Sequence, residues 1–69
     1  MINKQKLRDA IAKKGMSYVF VSKKLEITTS GLNYKMNGVT PFKDYEIRTL
    51  ANLCSLNAEE VEEIFLKGK

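Results

Sequence analysis

Apolar residues recur along this chain at three- and four-residue spacing, interrupted at regular intervals by residues that start and stop helices. Leu7, Ala10 and Ile11 share one helical face. Asn3 precedes them as a cap and Gly15 follows as a left-handed stop, which predicts a first helix from about residue 4 to 14. Ser17 caps a second helix running to about Leu25, with Val21 and Leu25 inward. Tyr18-Val19-Phe20-Val21 has strand propensity in isolation, but a lone strand has no partner in so short a chain. Glu26-Ile27 forms a turn. Thr28 caps a third helix that ends at Gly38, with Leu32 and Met36 as its buried pair and Ile27 packing just before it. Pro41 keeps Val39-Thr40-Pro41 out of helix. A fourth helix is expected from Asp44 to Cys54, with Ile47, Leu50, Ala51 and Cys54 inward. Asn57 with Glu60 caps a short fifth helix bearing the stripe Val61, Ile64 and Phe65. The expected fold is therefore all-α, a single compact five-helix domain over residues 1–69.

The outer face of the third helix changes the picture. With Val21, Leu25, Ile27, Leu32 and Met36 inward, Thr28, Thr29, Ser30, Asn33, Tyr34 and Asn37 fall outward. Two helices joined by a tight turn over residues 17–37, the second bearing amides and hydroxyls, suit an element that enters the DNA major groove. Asn pairs with adenine through two hydrogen bonds, Ser and Thr serve several base edges, and Thr or Tyr packs on a thymine methyl. Thr28, Thr29, Ser30, Asn33 and Tyr34 are thus the candidate base readers. Lys35 and Lys43, with Lys23 and Lys24, are candidates for phosphates. So are the amides at the N-termini of the second and third helices, the former around Ser17.

Charge is compatible with this without proving it. The chain of 69 residues carries 12 Lys and Arg against 8 Asp and Glu, a net +4. Residues 1–48 hold ten cations against four acids, a balance of +6, and residues 49–69 hold two against four, a balance of −2. The Lys and Arg face of the first helix reads as solvated surface. No catalytic role, cofactor or metal is expected: the chain has no His, one Cys and no Gly-rich phosphate loop ahead of a helix. Cys54 alone forms no intramolecular disulfide and reads as a small buried hydrophobe, which suits a reducing compartment. No apolar run approaches the ~20 residues of a membrane span. A cytoplasmic protein is expected.

Gly15-Met16-Ser17, Leu25-x-Ile27-Thr28, Ser30-Gly31-Leu32 and Asn37-Gly38 together resemble the lambda-repressor/Cro-like helix-turn-helix family. The resemblance extends to the short Cro-like regulators of temperate phages of Gram-positive bacteria and covers about residues 4–66. It implies a lambda-repressor-like five-helix fold and a sequence-specific DNA-binding transcriptional regulator in a phage lysis–lysogeny switch, binding double-stranded operator DNA. It implies base contacts from Thr29, Ser30 and Asn33, and phosphate contacts from Tyr18, Asn37 and the Val39-Thr40 loop. It also implies affinity gained by homodimerisation, which here must use the five-helix body.

Two positions depart from the family pattern. Its tight turn usually carries Gly and here carries Glu26, where a positive φ would cost about 1 kcal/mol. Val19 and Phe20 stand where polar residues are usual, and at 100° per residue Phe20 points mostly to solvent. Tyr18, Val19 and Phe20 therefore form a candidate protein interface. The alternative function is an antirepressor or modulator of repression that binds a partner phage repressor by protein contact. Gly31 within the third helix, where Gly costs about 1 kcal/mol relative to Ala, is expected to serve close packing.

Overall fold

Asn3 opens the first helix as its sequence position requires. Its side-chain oxygen accepts from the Lys6 amide at 3.1 Å, and α1 runs Lys4–Lys13. The same device starts three more helices of this computed structural model, which describes residues 2–67. Ser17 Oγ accepts from the Phe20 amide at 3.1 Å ahead of α2, Tyr18–Lys24. Thr28 Oγ1 accepts from the Gly31 amide at 2.9 Å ahead of α3, Thr29–Met36. Asn57 and Glu60 exchange bonds at 2.8 and 2.9 Å ahead of α5, Ala58–Val61. Only α4, Asp44–Cys54, starts otherwise: the Glu46 carboxylate reaches back to accept from the Lys43 amide at 2.8 Å. α5 continues directly into a π-helical segment, Glu62–Lys67, so the described residues form five helices and no strand.

The first four helices stop in one way. After α1, α2, α3 and α4 the chain turns through a left-handed residue: Gly15, Glu26, Gly38 and Ser55, at φ of 69°, 60°, 81° and 56°. At each, the next amide reaches back five residues and the left-handed residue's own amide reaches back three. The pairs are Met16 to Ile11 with Gly15 to Ala12, and Ile27 to Ser22 with Glu26 to Lys23. Val39 to Tyr34 with Gly38 to Lys35, and Leu56 to Ala51 with Ser55 to Asn52, complete the set. These are Schellman closures, and they satisfy carbonyls that a helix end otherwise leaves open. Two of the four carry a residue with a Cβ, which strains the αL region. Replacing Glu26 by Gly is expected to raise stability by up to about 1 kcal/mol, relief of αL strain being partly offset by Gly's larger unfolded-state entropy. A higher urea midpoint at unchanged m-value is the expected readout.

The helices pack around one core of Leu7, Ile11, Val21, Leu25, Leu32, Met36, Leu50, Cys54, Ile64 and Phe65. Ala10, Ile27, Ile47 and Val61 are partly buried against it, and so are Met16 and Tyr18. Phe42, from the loop before α4, meets the Phe65 ring edge-to-face with centroids 5.4 Å apart. The amide of Asn3 donates to the Ile64 carbonyl at 2.7 Å, tying the start of α1 to the final helical segment. The described residues span 26 × 24 × 20 Å. No helix is long and apolar enough to cross a membrane among the described residues.

A candidate nucleic-acid interface on α3

α2 and α3 pack directly against each other across the Leu25-Glu26-Ile27 turn. Val21, Leu25 and Leu32 have no exposed surface and Met36 almost none, so the phase of α3 is fixed by its apolar positions. That phase puts Ser30, Asn33, Tyr34 and Asn37 on one solvent-facing stripe, at i, i+3, i+4 and i+7. Tyr34 is 57% exposed. Thr29 is half-buried at the edge of the stripe, and Thr28 stands exposed at its head with its hydroxyl oxygen engaged as the cap. Among the described residues, the side chains of Ser30 and Asn33 take no intramolecular hydrogen bond, so their donors and acceptors face solvent.

Gly31 has a local explanation. A Cβ there would lie 3.2 Å from Thr28 Oγ1 and 3.9 Å from Ile27 Cβ. The glycine makes room for the cap and the turn, rather than for the body of α2.

The expected phosphate contacts divide. Ser17 is exposed at the start of α2, with its hydroxyl oxygen capping that helix. Tyr18 is partly buried against the core. Asn37, Thr40 and Lys43 are exposed, along the end of α3 and the loop that follows. Lys35 is not on this surface, which corrects its expected role. Its side chain is 10% exposed, and its ammonium donates to Glu46 Oε1 at 2.7 Å. The hydrophobic phase of α3 turns position 35 inward beside Met36, and only a partner carboxylate makes a cation tolerable there.

Glu46 is the functional neighbour that sequence reasoning missed. It is 1% exposed, and one oxygen takes both the Lys35 ammonium and the Lys43 amide. Among the described residues, its Oε2 has no hydrogen-bond partner. The pair joins the C-terminal turn of α3 to the first turn of α4 and so sets the pose of the polar stripe. The signal available in sequence was weak: Glu46 lies three residues after Lys43, a capping spacing, but Lys43 is not a capping residue type. Ser22 is also buried, its hydroxyl donating to the Val19 carbonyl at 2.8 Å.

On the exposed side of α2, Val19 is 53% and Phe20 43% exposed, and Lys24 Nζ stands 5.4 Å from the Phe20 ring centroid. With Tyr18 largely turned to the core, the apolar patch narrows to Val19 and Phe20. Elsewhere, Cys54 lies at the edge of a cavity of about 400 Å³ between α1 and α5. Burial pushes its thiol pKa up, against the opposing pull of Lys14. A thiol shifted this way is a poor nucleophile at neutral pH. No cluster of three His, Cys, Asp or Glu side chains able to hold a metal occurs among the described residues.

Comparison of the chain with protein-family models, with curated proteins and with solved structures finds no match.

Proposed function

We propose that this protein is a sequence-specific DNA-binding transcriptional regulator that inserts α3 into the major groove. The observation that carries this is the stripe Ser30, Asn33, Tyr34 and Asn37. It is a solvent-facing run of amide, hydroxyl and phenol side chains on a helix held by a buried apolar face and by the Lys35–Glu46 pair. Asn33 and Ser30 read base edges, Tyr34 and Thr29 add apolar contact, and Thr28 sits at the groove edge. Ser17, Asn37, Thr40 and Lys43 hold phosphates and set register. The sequence resemblance to Cro-like regulators of temperate phages supports a non-catalytic role in a lysis–lysogeny switch in the bacterial cytoplasm.

A titration of the purified protein with duplex DNA at 50 and 200 mM salt tests this. Binding is expected to weaken steeply at the higher salt, because each neutralised phosphate releases counterion. An absence of binding at both concentrations would refute the proposal.

A second reading is favoured by the exposed Val19 and Phe20: the same body binds a partner repressor through α2. Phe20→Ala separates the two. The residue is 43% exposed and its contact with Lys24 is a surface one, so the variant is expected to lose less than about 1 kcal/mol of stability. DNA affinity should be unchanged. Loss of DNA affinity in a folded variant would place the α2 face on the DNA instead.

A further inference from the structure

We propose that Lys4 and Asn37 form one phosphodiester-binding site that closes the C-terminal end of the α3 stripe; this rests on the DNA-binding proposal above. The sequence places Lys4 with the other cations of α1, on a face that reads as solvated surface. The structure separates it from them. Lys6 pairs with Glu63 at 3.2 Å, whereas Lys4 Nζ donates to Asn37 Oδ1 at 2.6 Å, across 33 residues of sequence. That contact brings a cation from the first turn of α1 to the last position of the reading stripe.

The pairing also fixes what Asn37 offers. An ammonium has donors only, so it holds the amide oxygen toward itself and turns the Asn37 NH₂ group away. Outward, the pair presents amide N–H groups and the remaining ammonium N–H groups. Such a surface is complementary to an anion with several acceptor oxygens. Beside it lies a hollow of about 180 Å³ lined by Ile2, Lys4, Met36, Asn37 and Gly38, with no carboxylate among those residues to neutralise it. Asn37 lies three and four residues beyond Tyr34 and Asn33 on the same face. A phosphate held there would belong to the DNA strand bordering the groove that α3 enters.

The test measures DNA affinity against salt for the wild type and three variants, with thermal melting as a check on folding. Lys4→Gln removes the charge but keeps a donor for Asn37. Its salt slope is expected to fall in magnitude by about 1, with affinity lowered ~3- to 10-fold and sequence preference unchanged. Asn37→Asp sets a carboxylate against Lys4 and should weaken binding at least as much. Lys13→Gln removes the same charge from the far end of α1 and should leave the slope at the wild-type value. Equal slopes for wild type and Lys4→Gln would overturn the proposal, as would an equal fall in Lys13→Gln. A wild-type protein that binds no duplex would instead refute the DNA-binding proposal, and this site with it.

Discussion

Glu46→Ala is expected to destabilise the protein by about 3–5 kcal/mol, the range for removing one partner of a buried ion pair. Glu46 is 1% exposed and Lys35 8%, so solvent does little to screen the loss. Two bonds to the same oxygen disappear: the Lys35 ammonium stays buried without its anion, and the α4 N-terminus loses the acceptor for the Lys43 amide. In a chain of 69 residues, total stability sits toward the lower part of the usual ~5–15 kcal/mol, so this single change consumes much of it. The melting midpoint should drop by about 12 °C or more. A fall of less than about 1 kcal/mol would show that the pair does not bind α3 to α4. The double variant Lys35→Met/Glu46→Leu should recover most of the loss. It leaves no buried charge, and it removes Glu46 Oε2, which has no hydrogen-bond partner among the described residues.

Ser30→Ala with Asn33→Ala carries the second large effect, on binding rather than folding. Both side chains are exposed and make no intramolecular hydrogen bond among the described residues, so melting should be nearly unchanged. Each lost base contact is expected to cost about 1–3 kcal/mol of discrimination. Together they weaken specific binding ~30-fold or more while sparing the salt-dependent, non-specific component. Equal loss on specific and random duplex would mean that these residues do not read sequence.

How far the sequence alone carries follows from how local each interaction is. Asn3, Ser17, Thr28 and Asn57 cap helices within three residues of themselves, and all four are visible from residue type and spacing. The phase of α2 likewise follows from Val21 and Leu25, which leaves Val19 and Phe20 outside. Gly15 and Gly38 announce two left-handed closures. Glu26 announces its own only by standing where the resembling family has Gly, and Ser55 gives no residue-type signal at all. What spacing does not reveal is pairing across the fold. Lys35 and Glu46 lie eleven residues apart, and charged side chains are surface residues by default, so a cation at an inward position passes for a phosphate ligand. Lys4 and Asn37 are further apart still. Phe42, in the loop before α4, joins the core against Phe65 of the final helical segment, more than twenty residues away. The candidate interface was therefore visible as a stripe on one helix, whereas the contacts that pose that helix were not.

A selection from a randomised duplex library, run in parallel on the wild type and on Ser30→Ala/Asn33→Ala, tests the central claim most directly. If α3 reads DNA, the wild type enriches one sequence motif and the double variant, equally folded, loses preference at the positions those two side chains contact. Failure of the wild type to enrich any motif, or the same motif emerging from both proteins, would contradict it.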